Sequence, residues 1–208
     1  TLAGKYPHVY AAIGVHPDEV GELNEDKIQH MKELCCNKKV VAVGEIGLDY
    51  YWDNEPHEVQ QKWFIRQLEL AGEVKKPVII HSREAAADTM YIMKNYAQGL
   101  DGVIHCYSYS REMAEEYVKM GFYIGIGGVV TFKNAKKLKD VAAAIPIEKI
   151  VLETDCPYMA PEPYRGKRNQ SSYIRYVAEK IAELKEMSQE EVIAVTEKNA
   201  REIGRAHV

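Results

Sequence analysis

Residues 40–52 read Val-Val-Ala-Val-Gly-Glu-Ile-Gly-Leu-Asp-Tyr-Tyr-Trp. The opening five residues suit a strand that is buried on both faces of a parallel sheet. They lead into Glu45, and a carboxylate at the end of such a strand must be paired, protonated or bound to a metal. Gly44 and Gly47 place no side chain beside Glu45, so a ligand or metal can come close to the backbone. This stretch predicts a strand that delivers a functional carboxylate.

The pattern of an apolar strand followed by a helical segment repeats along the chain. Strands are predicted at 9–15, 40–48, 77–80, 102–104, 123–128 and 150–152. Helices are predicted from about residue 24, at 57–74, around 90–93, 113–120 and 135–142, and at 172–186, where Ile174 faces inward. A last helix opens at Ser188, with Glu191 as the partner in a capping box, and ends near Gly204. This alternation predicts an α/β fold with a parallel sheet.

Size and composition are those of a globular protein. At 208 residues the chain is most simply one domain, spanning 1–208. Charged residues make up 28% and apolar residues 46%, and no apolar run approaches the ~20 residues that a membrane span requires. The sequence shows no signal peptide, and its four cysteines lack disulfide or zinc-knuckle spacing, so we expect a reducing cytoplasm. The net charge of -4 means that any nucleic-acid partner must bind a local basic patch.

Five of the six predicted strands end in a side chain that can bind a metal or a substrate. These side chains are His16, Glu45, His81, His105 and Asp155. In a parallel sheet the carboxyl ends of the strands meet at one mouth, where α/β barrels keep their active sites. Two imidazoles with two carboxylates make a good site for a divalent metal such as zinc, manganese or cobalt. Such a metal can activate a water near neutral pH, so hydrolysis is the natural reaction.

Each residue also has a structural interpretation. Taken singly, His81 or His105 is more often a hydrogen-bonded structural residue than a ligand. Glu45 suits a core carboxylate paired with an arginine, and Asp155 before Cys-Pro suits a turn. His16, which precedes a proline, either lines the pocket or hydrogen-bonds a neighbour. The recurrence of such groups at successive strand ends favours the metal interpretation.

Two features of the sequence suggest phosphate binding. Arg83, two residues after His81, can clamp a phosphate, although a surface ion pair is the alternative. The loop after the Asp155 strand carries Arg165, Lys167 and Arg168, with Tyr158 and Tyr164 nearby. Basic groups interleaved with aromatics suit a nucleic-acid strand, but an exposed charge run is usually a solvated face.

Six short motifs, in this order, closely resemble those of the TatD family of metal-dependent deoxyribonucleases. They are Gly-Val-His-Pro (14–17), Gly-Glu-Ile-Gly-Leu-Asp-Tyr (44–50), Ile-His-Ser-Arg (80–83), His-Cys-Tyr-Ser (105–108), Glu-Thr-Asp-Cys-Pro (153–157) and Arg-Gly-Lys-Arg-Asn (165–169). The resemblance implies a TIM-type barrel of the amidohydrolase kind that hydrolyses DNA phosphodiesters with divalent metals. It also implies that Glu45 bridges two metals, that His81 and His105 complete one site, and that Asp155 belongs to the other and orients the attacking water.

The sequence departs from the family pattern at its start. The family opens with a His-x-His strand that supplies two ligands, and a second strand precedes the Gly-x-His-Pro one. Neither is present here, so we expect six of the eight strands of a TIM-type barrel, N-terminally truncated relative to the family. The His-His-Glu site can still hold one metal, whereas the other has lost two ligands. Asn169-Gln170-Ser171 also replaces the family's Asn-Glu-Pro.

These considerations predict a metal-dependent hydrolase, most simply a deoxyribonuclease with DNA as its substrate. The expected metal ligands are Glu45, His81, His105 and Asp155. The expected catalytic groups are Asp155, which acts as general base, and Glu45. The expected substrate-binding groups are His16, Arg83, Tyr158, Arg165 and Arg168. We expect one or two zinc, magnesium or manganese ions per chain. The alternatives are a hydrolase of the same barrel that acts on a small amide, lactone or phosphoester, and an inactive barrel fragment. The oligomeric state is left open.

Overall fold

The computed structural model describes residues 1–52 and 54–203. It is an α/β fold with six parallel strands, as in a TIM-type barrel. The strands are β1 (Ala11–Ile13), β2 (Val40–Asp49), β3 (Val78–Arg83), β4 (Gly102–Ile104), β5 (Tyr123–Ile126) and β6 (Ile150–Leu152). They are hydrogen-bonded in sequence order, β1-β2-β3-β4-β5-β6. Sequential order with a helical connection between parallel strands is the arrangement that the strand and helix alternation predicts.

The helices lie before, between and after these strands. They are α1 (Leu2–Lys5), α2 (Glu25–Leu34), α3 (His57–Val74), α4 (Ala86–Tyr96), α5 (Arg111–Lys119), α6 (Lys136–Ala144), α7 (Ile174–Lys185) and α8 (Gln189–Ile203). Short 3-10 turns occupy Pro17–Glu22, Gly128–Thr131, Ile147–Lys149 and Ser171–Tyr173. Among the residues that the structure describes, no helix is both long enough and apolar enough to cross a membrane.

One compact unit comprises Thr1–Val103 together with Ile203. Strand β2 pairs with β1 on one side and with β3 on the other, both in parallel. The apolar cluster of this unit packs α2 and α3 over the end of β1. The cluster consists of Val20, Leu23, Ile28, Met31, Trp63 and Leu70, with Ile13, Val15, Val59 and Val74 at its margin. Burial of each such side chain contributes about 1.5–3 kcal/mol, so this cluster fixes α2 and α3 against the end of β1.

The other compact unit comprises Ile104–Glu202. Strands β5 and β6 pair in parallel, with Ile126 opposite Leu152. The largest buried side chains here include Tyr117, Phe122, Ile124, Ile150 and Ile181. The buried Asn199 amide donates to the carbonyl oxygens of Ile147 and Ile150, which ties α8 to the start of β6.

Several sequence predictions are confirmed in detail. Helix α3 spans His57–Val74 as expected, and Asn24 caps α2 by accepting the N–H of Lys27. In the capping box, the N–H of Ser188 donates to Glu191 and the N–H of Glu191 donates to the Ser188 hydroxyl. The expected end of α8 near Gly204 lies outside the described residues, and the single domain over 1–208 stays a prediction.

Three local predictions are wrong. Strand β2, predicted at 40–48, continues to Asp49, so Glu45 lies within the strand and not at its end, and β3 continues beyond residue 80 through His81 to Arg83. Both strands are longer than their apolar runs because they remain paired with each other, Asp49 opposite Arg83. Ile174 is exposed, because a 3-10 turn at Ser171–Tyr173 precedes α7 and shifts the phase of its first turn.

Candidate metal centre

Glu45 stands at a break in the ladder between β2 and β3. The register shifts between Gly44 and Ile46, which pair with consecutive residues of β3, so Glu45 has no opposite residue. A bulge of this kind re-aims a side chain and is common beside active sites. Oε2 of Glu45 lies 3.9 Å from Nδ1 of His81. A carboxylate oxygen and an imidazole nitrogen at this separation can both bind one divalent ion, because metal–ligand bonds to these atoms are about 2.0–2.2 Å long.

The other nitrogen of His81 is held by Asp49. Nε2 of His81 donates to Oδ2 of Asp49 at 2.9 Å, and Oδ1 of Asp49 accepts the backbone N–H groups of Tyr51 and Trp52 at 2.9 and 3.2 Å. The Asp49 side chain is 1% exposed, so all of its hydrogen-bonding capacity is directed into the protein. This contact assigns the proton of the neutral imidazole to Nε2 and leaves the lone pair on Nδ1, toward Glu45.

The pKa values agree with this assignment. Burial alone would raise the pKa of Asp49, but the hydrogen bonds from His81, Trp52 and Tyr51 outweigh it and lower the pKa. Burial, together with the nearby His16 ring, lowers the pKa of His81 against the opposing effect of Asp49 and Glu45. Asp49 is therefore ionised and His81 neutral near pH 7, the protonation states that metal binding requires.

Gly47 makes the close approach of β2 and β3 possible. It lies opposite His81 with φ at +149°, and a Cβ built on it would lie 1.9 Å from the carbonyl oxygen of His81. Any side chain at this position would push the two strands apart. Because strand side chains alternate, Gly47 and Asp49 share one face, and the glycine lets the backbone of β3 come close at His81.

His16 lies beside His81, with ring centroids 4.4 Å apart in an edge-to-face arrangement. Its Nδ1 accepts the N–H of Asp18 at 3.3 Å and thereby caps the 3-10 turn Pro17–Glu22. The hydrogen bond to a neighbour, one of the two roles expected of His16, is therefore present. Its role in substrate binding stays a prediction.

Among the described residues, His16, Asp49 and His81 form a group whose ligand atoms all lie within 4.8 Å of one another. Imidazole and carboxylate donors of this kind fit zinc or manganese. However, both oxygens of Asp49 already accept hydrogen bonds. A carboxylate in that position suits an anchor for His81 better than a ligand, so Glu45 remains the better carboxylate donor in this unit.

His105 follows β4 in the second unit and repeats the arrangement of His81. Its Nδ1 donates to Oε2 of Glu153 at 2.8 Å, and Oε1 of Glu153 accepts the N–H of Cys106. The opposite nitrogen, Nε2, lies 3.5 Å from Oδ1 of Asp155. In both units, then, one carboxylate anchors an imidazole whose other nitrogen faces a second carboxylate.

The backbone beside His105 and at Asp155 is held in unusual conformations. Cys106 and Asp155 have φ values of 45° and 55°, in the left-handed region that side-chain-bearing residues seldom adopt. Such residues cluster at functional sites, where the surroundings hold them in place. On β5, a Cβ at Gly125 would lie 2.6 Å from Oε1 of Glu153, so only glycine leaves room for this carboxylate.

The basic loop after β6 is anchored next to Asp155. Asn169 is buried, and its amide donates to the carbonyl oxygens of Thr154 and Tyr158 at 2.6 and 2.7 Å. These bonds hold Arg168 at a depression of about 570 Å³ that is lined by Cys156, Pro157, Arg168, Asn169, Gln170 and Ser171. The loop is thus fixed to the backbone on both sides of Asp155.

The remaining predicted substrate-binding residues occupy different surroundings. The Arg165 guanidinium packs over the Phe132 ring at 4.2 Å, and Tyr158 is well exposed. Arg83 packs against Tyr51 and Trp52 at 3.7 and 5.5 Å. Two of the arginines expected to bind phosphate, Arg83 and Arg165, are therefore packed against aromatic rings.

Sequence reasoning passed over the two anchoring carboxylates, Asp49 and Glu153. For Asp49 a signal was present, because it follows Glu45 and Gly47 at the spacing of one strand face. The strand was expected to end before that face could be read. For Glu153 the signal was its place directly after β6, two residues before Asp155.

The family model described as TatD related DNase matches residues 1–204. The metal-dependent hydrolase YabD of Bacillus subtilis is 48% identical over 202 residues, which cover 97% of this chain and 79% of that protein. The metal-dependent hydrolase YcfH of Escherichia coli K12 is 41% identical over 199 residues, which cover 95% of this chain and 74% of that protein.

Solved structures of TatD proteins also match this chain. The crystal structure of the TatD homologue YjjV from Escherichia coli K12 superposes with a TM-score of 0.91 at 32% identity, covering 99% of this chain and 80% of that one. A TatD family hydrolase from Entamoeba histolytica gives 0.84 at 25% identity, covering 98% of this chain and 79% of that one.

Proposed function

This chain belongs to the TatD family of metal-dependent hydrolases, and from that premise we propose that it is a deoxyribonuclease that hydrolyses the phosphodiester bonds of DNA. The observation that carries the proposal is the repeated pairing of a neutral imidazole with an anchoring carboxylate, Asp49 for His81 and Glu153 for His105. Anchored imidazoles of this type are the usual ligands of catalytic metals. The description of the matching family model, TatD related DNase, supports DNA as the substrate.

We propose Glu45 and His81 of the first unit, and His105 and Asp155 of the second, as the metal ligands. When bound, a divalent metal supplies Lewis-acid activation of a water and of the phosphoryl group. Asp49 and Glu153 keep each imidazole in the tautomer that presents a lone pair. Zinc, magnesium or manganese, one or two ions per chain, suits a donor set of nitrogens and oxygens.

Asp155 is proposed as the general base. Its carboxylate accepts the proton of the attacking water, and its fixed left-handed backbone restricts the directions in which the side chain can point. The guanidinium groups of Arg83, Arg165 and Arg168 bind the charged phosphates of the strand, and His16 and Tyr158 contact the substrate. Arg83 lies two residues after His81 on β3, and the loop that carries Arg168 is tied through the Asn169 amide to the carbonyl oxygen of Thr154, next to Asp155.

The test is hydrolysis by purified, metal-loaded protein. Single-stranded DNA should be cleaved, and a panel of small amides, lactones and phosphoesters should be turned over far more slowly. Asp155→Asn should lower the cleavage rate about 10²–10⁴-fold. The matched control Asp140→Asn, an exposed carboxylate on α6, should leave the rate unchanged.

The rival functions give different results in the same assay. Turnover of a small ester or amide without cleavage of DNA would replace the nuclease with a small-molecule hydrolase. A folded protein that retains no metal after purification and hydrolyses neither class of substrate would identify an inactive member of the family.

A further inference from the structure

Tyr51 and Trp52 form an exposed aromatic pair directly after β2. Their side chains are 54% and 57% exposed, and their rings meet edge to face with centroids 5.0 Å apart. A single exposed aromatic residue is common on protein surfaces, but two adjacent ones that share a cation are a specific feature. The guanidinium of Arg83 lies 3.7 Å from the centroid of Tyr51 and 5.5 Å from that of Trp52. We call these three residues the aromatic platform.

The aromatic platform is held in place before any ligand binds. The backbone N–H groups of Tyr51 and Trp52 both donate to Oδ1 of the buried Asp49. On the other side, the N–H of Tyr50 donates to the carbonyl oxygen of Arg83 at 2.9 Å. The turn that carries the rings is therefore fixed to both β2 and β3. Binding a ligand on rings that are already oriented costs less conformational entropy than ordering a mobile loop.

The aromatic platform also lies next to a proposed metal ligand. Arg83 and His81 are two residues apart on β3, so they share a face of the strand at a spacing of about 6.6 Å. A nucleotide on the platform would thus be adjacent to one at His81.

We propose that the aromatic platform is a stacking site for an unpaired nucleobase of a single strand, with the Arg83 guanidinium directed to the neighbouring phosphate. This inference rests on the proposed nuclease function and specifies its substrate as single-stranded rather than fully paired. Every nucleobase has a flat π-face that stacks on Tyr or Trp, so such a site accepts many sequences. The guanidinium beside the rings adds charge complementarity, which an apolar peptide or lipid chain would not use.

Trp52 allows this stacking to be observed directly. The chain has two tryptophans, and the Trp63→Phe variant leaves Trp52 as the only one. A phosphorothioate thymidylate strand of about eight nucleotides, which resists hydrolysis, should quench its emission. An abasic strand of equal length and charge should bind about tenfold more weakly and leave the emission nearly unchanged.

Binding to the otherwise unchanged chain gives a second measurement that does not depend on Trp63→Phe folding. With a dye-labelled thymidylate strand, Tyr51→Leu and Trp52→Leu should each weaken binding about tenfold, as judged by fluorescence anisotropy. The matched control Tyr91→Leu removes another exposed tyrosine, 65% exposed on α4, and should bind like the parent chain. For the abasic strand, all of these chains should have equal affinities.

The outcomes separate this inference from the nuclease proposal. If the parent chain cleaves DNA while the platform variants bind and cleave like the parent, the stacking site is wrong and the nuclease stands. If thymidylate quenches Trp52 but no DNA is cleaved under any metal, the stacking site stands and the nuclease is wrong. Equal binding of thymidylate and abasic strands would overturn the stacking site, because the strand would then be held by its phosphates alone.

Discussion

Oδ2 of Asp49 lies 2.9 Å from Nε2 of His81, and this one contact sets the chemical state of the imidazole. The buried carboxylate holds the proton on Nε2, so the lone pair of Nδ1 points toward Glu45. In the second unit Glu153 holds the proton of His105 on the other nitrogen, Nδ1, so the lone pair of Nε2 points toward Asp155. The two anchoring carboxylates differ in their position in the fold. Asp49 is the last residue of β2, whereas Glu153 directly follows β6. The arrangement is nevertheless the same in both.

Asp49→Asn should weaken metal binding by about 10–100-fold, the usual effect of removing a partner that orients a metal-binding histidine. Asparagine keeps the size of the side chain but removes the charge that fixes the tautomer. Metal affinity measured by competition with a chelator tests this, with circular dichroism to confirm folding. Asp26→Asn, an exposed carboxylate at the start of α2, is the control. An affinity equal to that of the parent chain would show that His81 does not depend on Asp49.

Gly125→Ala should disturb the second imidazole without removing any polar group. The new methyl group would meet Oε1 of Glu153 at 2.6 Å, so the carboxylate must shift and release His105 or Cys106. Overpacking of this kind costs about 1–3 kcal/mol, and metal affinity should fall together with thermal stability.

Gly127→Ala is a close control for that substitution. A Cβ there would lie 3.6 Å from the Glu153 carbonyl oxygen, which is an ordinary contact, and the backbone is extended. The Gly127→Ala variant should bind metal like the parent chain. Equal losses of metal affinity in the two variants would mean that a methyl group added at either glycine disturbs the site, and that the position of Glu153 is not the cause.

The parts of the fold that were predictable from sequence depend on local interactions. Helix α3 was placed correctly because its apolar period is helical over its whole length, and the Ser188 capping box requires only residues three apart. The candidate ligands were found for a related reason. Each follows or lies within an apolar run, so its place near a strand end could be read from the sequence alone.

The anchoring carboxylates depend on pairing between strands. Asp49 reaches His81 because Gly47 is paired with His81 and the ladder shifts at Glu45, and neither the register nor the shift is encoded locally. The expectation that Glu45 stands at the end of β2 was wrong for the same reason. Residues 46–49 form a strand because β3 pairs with them, whereas Gly47 would favour a turn in isolation.

The turn that carries Tyr51 and Trp52 should lose support at alkaline pH. The hydroxyl of Tyr50 donates to Oδ2 of Asp88 at 2.9 Å, and its ring stacks on His57 with centroids 3.5 Å apart. Burial, with Asp88 beside the hydroxyl, raises the pKa of Tyr50 from 10.0 to about 12, although the Gln61 amide opposes this. The folded state thus favours the protonated phenol.

A pKa that is raised in the folded state gives stability that is fully present below the unfolded pKa and is lost as pH rises through the folded one. The parent chain should be more stable than Tyr50→Phe by about 1 kcal/mol below pH 10, and the difference should shrink between pH 10 and 12. Urea denaturation of both chains at several pH values measures it. Tyr91→Phe, on α4, is the control. A difference that stays constant up to pH 11 would contradict the raised pKa.

The loop that carries Arg168 is positioned by Asn169, whose buried amide donates to the carbonyl oxygens of Thr154 and Tyr158. Both bonds flank Asp155, the proposed general base. If Arg168 binds a phosphate at the adjoining 570 Å³ depression, its charge contributes to binding of the substrate strand and not to the hydrolysis step. Removing that charge should therefore weaken binding more than it slows cleavage.

Arg168→Gln should raise KM for single-stranded DNA several-fold with little change in kcat, because the lost contact is made equally in the ground and transition states. The slope of log affinity against log salt should fall by about one, the signature of one phosphate contact. Arg168→Lys, which keeps the charge, should restore the slope. Arg201→Gln removes an arginine that is paired with Glu197 on α8 and should change neither quantity. An unchanged salt slope in Arg168→Gln would show that this arginine belongs to the solvated surface, since each released counterion must appear in the slope.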